Sequence, residues 1–400
     1  MHSTKVSKGE SEGLVANRVL LTLLVAALIG AALLPFAAMA PNRLVSGQSV
    51  GLVSALLAWQ WGTLGLLAVL LGLCALSRPF SLPAAYRLVL VAAPLWLLLV
   101  LYGLGSYADR ALEDASSAAR ISQGAAFWIV AFCPVLMIVD AFQRLHTNLA
   151  LRSLYAALLA GSVAAMFALD VFDGLAILRE YANNRELFAA EFATHLRLVA
   201  SALGPALAIG LPLGLLAHRR SGARGPLFGL LNFFQTIPSI ALFALLVAPL
   251  AALSEALPFL RALGVKGIGA TPAIIALIMY ALLPIVRNTY AGFAGVAATT
   301  LEAARGMGMT SRQILWRVEI PLALPVILSG LRIVTVQAIG LTVVAALIGA
   351  GGLGSFIFQG LGQYAIDLVL LGAVPTIALA VVADFLLQIL VAISKPAGAR

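Results

Sequence analysis

Charge is what this chain has least of. Only 10% of its 400 residues are Asp, Glu, Lys or Arg, against roughly 25% in soluble domains. So few charges cannot coat a water-exposed surface, and a soluble globular fold is excluded. Cysteine is nearly absent. Cys74 and Cys133 both lie in apolar runs, which leaves neither a disulfide framework nor a cysteine-based metal site. Histidine is scattered at His2, His146, His195 and His218, with no paired or HExxH arrangement for a metal. The lysines are Lys5, Lys8, Lys266 and Lys395, and none follows a glycine; a phosphate-binding P-loop is therefore missing. No Lys/Arg block is long enough for a nucleic-acid patch, the densest being Arg219, Arg220 and Arg224. No nucleophile–base pair of an enzyme stands out either.

What fills the chain is apolar residues, 62% of the total, in long runs rather than at helical or strand spacing. Such runs read as transmembrane helices, because about 20 residues span the hydrocarbon core. The short alternating segments of an outer-membrane barrel are absent. The predicted fold class is all-α, a polytopic membrane protein with spans near 19–40, 50–76, 87–107, 124–143, 153–172, 195–217, 226–252, 271–289, 323–349 and 366–392. Ahead of the first run stand Lys5, Lys8 and Arg18, and Ala38-Met39-Ala40 at its end has the form of a signal-cleavage site. The run exceeds a usual signal core, so an uncleaved first helix is the preferred reading.

The net charge of +9 fits the excess of Lys and Arg that membrane proteins keep in cytoplasmic loops. With ten spans and the N-terminus inside, cytoplasmic segments hold sixteen of the 25 basic residues, among them Arg78, Arg144, Arg219, Arg305 and Arg400. Outer loops hold eight, including Arg43, Arg110 and Arg261, and Arg332 lies within a span. This two-to-one excess predicts that both termini are cytoplasmic. Ten of the 16 acidic residues, Asp114 among them, fall outside.

The longest polar segment, 173–194, divides the chain. Before it lies an N-terminal extension, 1–172, with about five spans and no chemical motif. After it come the spans of 195–392 and a tail, 393–400. Within the segment Leu175, Leu178, Leu187, Phe188 and Phe192 interleave charged residues. That pattern suits an amphipathic helix at the outer surface or a solvated loop.

Functional signals concentrate in the loop 290–322. Glu302-Ala303-Ala304-Arg305 favours helix, and Gly306 and Gly308 permit backbone conformations other residues resist. Thr310 or Ser311 can cap a second helix. Pro321 and Pro325 are expected to end that helix and start the next span. A short helix on a basic cytoplasmic face suits docking to a soluble partner.

Glu302-Ala303-Ala304, three residues, Gly308, nine residues, then Val318, Ile320 and Pro321 resembles the EAA loop of binding-protein-dependent ABC importer permeases of the MetI-like superfamily. Val and Ile stand where the family pattern has Ile and Leu. The resemblance covers about 195–392 and implies the type I importer permease domain with five core helices. It implies that Glu302, Ala303, Ala304, Arg305, Gly306, Gly308 and Pro321 couple the chain to an ATPase subunit. The implied partners are two copies of that ATP-binding cassette subunit, a second permease chain, a periplasmic substrate-binding protein and the lipid of a bacterial inner membrane. ATP and Mg are then used by the partner, with no cofactor in this chain. Gln235-Thr236-Ile237-Pro238-Ser239, the stretch from Tyr280 to Tyr290, and Ile348 to Gly354 resemble the osmoprotectant branch, which handles glycine betaine and choline. The extra N-terminal spans resemble its extended, YehY-type members. Related branches carry amino acids or sulfonates, so those substrates stay open. So does a stand-alone transporter or channel, which would leave the 290–322 loop unexplained.

The glycines of Gly349-Ala350-Gly351-Gly352-Leu353-Gly354 match a dinucleotide fingerprint, but no strand is expected before them. They read as a helix break, with Gly351 and Gly352 near the translocation path. Pro238 and Pro284 sit inside predicted spans, where each is expected to kink a helix and to line the path. Arg332 and Asp384 are charged residues inside spans, each costing about 2.5–3.5 kcal/mol at the bilayer centre. Their matched depths predict an ion pair, with snorkelling of Arg332 as the alternative. Gly210 and Gly214 form a G-x-x-x-G pattern, which allows close helix contact or arises by chance.

Overall fold

A segment inside a bilayer has no water to bond its backbone, and a helix satisfies its N–H and C=O groups within one segment. The apolar runs follow that rule. The computed structural model describes residues 17–42, 45, 47–76, 82–113, 115–116, 118–262 and 264–395. His2, Lys5, Lys8, Arg43, Arg78, Asp114, Arg400 and most of the 393–400 tail lie outside the described residues. Nine described helices are long and apolar enough to cross a membrane, and Arg18–Leu33 is a shorter apolar one. The chain forms two compact units, Met1–Arg179 and Glu180–Arg400.

The first unit holds α1 (Arg18–Leu33), α2 (Leu52–Ala55), α3 (Ala58–Ala75), α4 (Leu82–Glu113), α5 (Ala125–Arg144) and α6 (Leu149–Ala168), and α7 (Ala176–Asn183) begins in it. Phe36, Leu71, Trp96, Leu104, Ile121 and Val130 are buried in one continuous core. The buried Gln60 is partnered: it accepts from the Leu57 N–H at 2.9 Å and donates to Ser106 Oγ at 3.0 Å. A small antiparallel sheet was not foreseen. Its order is β2-β1-β3, with β1 at Ala37–Ala40, β2 at Gln48–Val50 and β3 at Arg120–Gln123. It shortens the expected first span, because Ala38-Met39-Ala40 lies in the central strand rather than in α1.

The second unit holds α8 (Arg185–Arg219), α9 (Ser221–Thr236), α10 (Ser239–Ala256), α11 (Pro258–Ala262), α12 (Ala270–Ala294), α13 (Ala298–Gly306), α14 (Ser311–Ile314), α15 (Ile320–Ala345), α16 (Gly354–Gly362) and α17 (Ile366–Ser394). The 173–194 segment is helical. α8 starts at Arg185, ten residues before the expected span, since no proline interrupts the sequence until Pro205. At 35 residues it runs about 52 Å, longer than a bilayer core. Small residues set its packing: a Cβ on Gly210 would stand 2.6 Å from Ile285 Cγ2, and one on Gly214 2.9 Å from Val286 O. The G-x-x-x-G spacing therefore marks close α8–α12 contact.

Three expectations change. Pro238 does not kink a continuous span. It caps α10, after a break at Ile237, because proline disfavours helix in the residue before it. Pro321 and Pro325 do not end the loop's second helix. Ser311–Ile348 is one helical run that passes through a π-helical turn, Leu315–Glu319; the wider turn makes room for the Pro321 ring, which would otherwise press on the carbonyl four residues earlier. Gly306 stays in α13 with helical φ, and Gly308 alone takes the left-handed conformation there, at φ +78°.

Candidate functional site

The loop 290–322 is built by local rules. At the end of α13 the Gly308 N–H donates to Arg305 O at 2.9 Å and the Met309 N–H donates to Ala304 O at 3.2 Å. This is a Schellman stop with glycine in the left-handed position. Thr310 then opens α14 with a capping box: its Oγ1 accepts from the Gln313 N–H, and Gln313 Oε1 accepts from the Thr310 N–H at 2.8 Å. A helix, a stop and a cap thus give an elbow. Ala304 and Ile314 are its buried contacts. Glu302, Ala303, Arg305, Gly306 and Gly308 are exposed. So are two large apolar side chains, Met307 at 74% and Trp316 at 63%. Apolar anchors flanked by arginines are what a protein partner recognises most strongly.

The elbow is fixed to the bundle where α15 begins. Pro321 lies in the first turn of α15. A Cβ on Gly292 of α12 would stand 3.0 Å from Ala323 O, so the two helices touch backbone to side chain. Glu319 is buried and pairs with Arg219, in the last turn of α8. This pair was not foreseen; the signal was a carboxylate between Val318 and Ile320, on an otherwise apolar approach to proline.

Within the bundle, Arg332 of α15 grips Asp384 of α17 with two bonds, one from Nε to Oδ1 and one from Nη2 to Oδ2 at 2.7 Å. Such fork geometry is the strong form of a charge pair. Both side chains keep about a third of their surface, 38% and 34%.

Pro238 and Pro284 meet through Tyr280. Proline at 284 has no N–H, so the Tyr280 carbonyl four residues earlier loses its helical donor. Gln235 Nε2 supplies one at 2.7 Å. The Tyr280 hydroxyl in turn donates to Ile237 O, beside the Pro238 break. Ile237 and Tyr280 belong to one apolar cluster with Leu242, Phe243, Ala345 and Ala350.

Ala350 leads to the glycine turn between α15 and α16. Gly349, Gly351 and Gly352 have φ of +76°, +79° and +86°, a region only glycine enters freely. The Gly352 N–H donates to Glu191 of α8, whose carboxylate also takes the Ser355 hydroxyl at 3.5 Å. A Cβ on Gly352 would lie 3.2 Å from Nδ1 of the buried His195. The structure thus joins Gly351 and Gly352 to α8, Pro238 to Pro284, and Arg332 to Asp384. No cluster of three or more His, Cys, Asp or Glu that could hold a metal occurs among the described residues.

The geometry is that of a polytopic helical membrane protein with an exposed, capped elbow. Comparison with known proteins gives the family. Residues 207–393 match the binding-protein-dependent transport system inner membrane component family, and residues 17–178 match the N-terminal domain of the ABC transporter permease YehY. The chain is 43% identical over 206 residues to the osmoprotectant import permease OsmW of Salmonella typhimurium, covering 52% of this chain and 91% of that one. It is 40% identical over 212 residues to the carnitine transport permease OpuCB of Listeria monocytogenes, covering 53% and 90%. It is also 40% identical over 201 residues to the choline transport system permease OpuBB of Bacillus subtilis, covering 50% and 84%. Among solved structures, a chain of the inward-facing MetNI methionine ABC transporter superposes with a TM-score of 0.46 at 23% identity, over 54% of this chain and 99% of that one. The chain belongs to the binding-protein-dependent ABC importer permeases. It is a multi-pass membrane subunit of an ABC importer, and its family works with ATP-binding and substrate-binding partners.

Proposed function

We propose that this chain translocates a small quaternary ammonium osmoprotectant, such as glycine betaine, choline or carnitine, handed over by a periplasmic binding protein. The relatives' substrates support the class of solute. The elbow supports the mechanism, and it carries the reading: Met307 and Trp316 stand exposed on a backbone locked by the Gly308 stop and the Thr310 cap. An ATP-binding subunit docks there. ATP and Mg are bound by that subunit, and closure of its nucleotide sites moves the elbow, which biases the bundle between two arrangements. One elbow per chain calls for two permease chains on two ATPase subunits. Glu302, Ala303, Ala304, Arg305, Gly306, Gly308 and Pro321 form the docking segment. Both termini face the cytoplasm of a bacterial cell whose inner membrane the chain crosses, as the basic-residue bias favours. Gly351, Gly352, Pro238 and Pro284 border the path, because the glycines and Pro238 set breaks between helices and Pro284, inside α12, leaves the Tyr280 carbonyl to Gln235.

Reconstitution in proteoliposomes tests this. The chain with its ATPase and binding protein is expected to import radiolabelled glycine betaine, choline or carnitine only with internal or external ATP on the ATPase side. Uptake by the chain alone would make it a stand-alone transporter. ATP-driven uptake of an amino acid or sulfonate, with none of the quaternary ammonium solutes, would move it to another branch.

A further inference from the structure

We propose that the Arg219–Glu319 ion pair is the joint through which the elbow moves α8, which makes Glu319 a positioning residue for coupling. The inference rests on the docking reading above. Glu319 keeps 3% of its side-chain surface, while Arg219 keeps 48%. A carboxylate is not held inside an apolar bundle without a partner, and here the partner comes from a helix 100 residues away in sequence.

The backbone shows why the pair forms. Glu319 closes the π-helical turn Leu315–Glu319. One extra residue in a turn rotates everything before it by about 100° relative to an unbroken α-helix. The same turn therefore aims the elbow outward and Glu319 toward α8. Around the pair, α8, α9 and α12 interlock: Arg224 lies 4.7 Å over the Tyr290 ring, Phe228 meets that ring edge-on at 5.9 Å, and His218 lies 5.9 Å from the Phe293 ring. None of these side chains belongs to the elbow. Glu319 is the charged link between this knuckle and the docking segment.

The joint also has somewhere to send its motion. At the opposite end of α8, Glu191 holds the Gly352 N–H of the glycine turn. α8 and α15 are thus clasped near both ends, by Arg219–Glu319 and by Glu191–Gly352. Pro205 and Pro212 lie within α8 between the clasps, and prolines are where a helix bends. A push on the elbow shifts the inner end of α8, and the bend at the prolines decides how much reaches the glycine turn.

The test uses the full importer in proteoliposomes, with glycine betaine, choline and carnitine as probes and ATP hydrolysis measured alongside. Glu319→Gln, Arg219→Gln and the exchange Arg219→Glu with Glu319→Arg are compared with wild type, and Gly308→Trp serves as the docking control. Glu319→Gln and Arg219→Gln should assemble with the ATPase and hydrolyse ATP normally. They should import about tenfold less solute per ATP, a typical size for a lost coupling contact. The exchange should restore most of the uptake. Normal uptake per ATP in either Gln variant overturns the joint. So does failure of both Gln variants to assemble, which makes the pair a folding element only, or an assembled exchange variant with no recovery. Loss of uptake in Gly308→Trp with none in Glu319→Gln refutes the joint and keeps the docking reading. Normal uptake in Gly308→Trp refutes the docking reading itself.

Discussion

Replacing Gly214 by alanine should loosen the α8–α12 contact, and the structure sets the size of the effect. In an isolated helix the change is favourable by about 1 kcal/mol, the ordinary Gly-to-Ala difference in propensity. Here the new methyl would stand 2.7 Å from Thr289 Cγ2, closer still to Thr289 Cβ, and 2.9 Å from Val286 O. A branched side chain and a backbone oxygen cannot swing away, so the helices would have to part. Overpacking of this kind costs about 1–3 kcal/mol, and rigid neighbours argue for the upper end. The net is a loss of about 2 kcal/mol. Gly204, on the same helix, has nothing within 4 Å of its would-be Cβ, so Gly204→Ala should keep the propensity gain of about 1 kcal/mol.

The two variants are then about 3 kcal/mol apart, which at about 2–4 °C per kcal/mol separates their melting temperatures by roughly 6–12 °C. The assay is heating of the detergent-purified chain followed by size-exclusion detection of the folded fraction, with wild type expected between the two. Lipid chains are as apolar as the side chains, so contact in a membrane depends on closeness of packing more than on hydrophobic burial. If Gly204→Ala and Gly214→Ala melt together, packing at Gly214 does not hold α8 to α12 and the reasoning fails.

Arg332→Ala or Asp384→Ala should each cost up to about 3 kcal/mol by leaving a charge without its partner in the bundle, and the double variant should cost less than the sum; a thermal double-mutant cycle measures this, and silent single variants would dissolve the pair. Tyr280→Phe removes the donor to Ile237 O and should destabilise by about 1–2 kcal/mol, read in the same melting assay. At Gly308, φ +78° with open space beside it makes backbone conformation the obstacle. Gly308→Val should therefore lose more ATP-driven uptake than Gly308→Asn, because a branched residue resists the left-handed region by about 1–2 kcal/mol and asparagine tolerates it; equal loss in the two, or the reverse order, would mean that backbone conformation at Gly308 does not decide.

What could be read from the sequence is what is local. A run of about 20 apolar residues has one stable answer in a bilayer, so the spans were legible from Arg18 to Ser394. The elbow was legible because Gly308 and Thr310 act on their nearest neighbours, through the stop and the cap. Matched depth along two spans brought Arg332 and Asp384 together. The misses are relations across distance. Strand β1 pairs Ala38 with Ser122, and nothing in a run of small apolar residues announces a partner so far along the chain. Glu319 drew no reading of its own in the sequence, because the arginine that partners it, Arg219, stands 100 residues away at the end of α8. Pro284 was recognised as a disturbance of its helix, but the consequence lay four residues back, at the Tyr280 carbonyl, and the answer lay on another helix, at Gln235. A proline inside a predicted span should send the reader to the carbonyl four residues earlier and to a search for a side-chain amide that can reach it.

The two units differ in how their buried apolar residues are grouped, and the difference bears on motion. The first unit has one continuous core of large side chains, from Leu20 through Trp96 to Phe172. Such a core is closely packed and yields little to small forces. In the second unit the buried apolar residues fall into separate clusters, around Phe243 and Tyr280, around Ile285, around Ile339 and around Val286. Between them run directional contacts: glycine against side chain at Gly210 and Gly214, side chain to carbonyl at Gln235 and Tyr280, and charge to charge at Arg219 and Arg332. Directional contacts between small clusters can be exchanged one at a time, whereas a continuous core moves as a whole or not at all. An importer needs a body that changes its packing when the elbow is pushed. In this chain the segmented half carries the elbow, so the proposed coupling places the bending there.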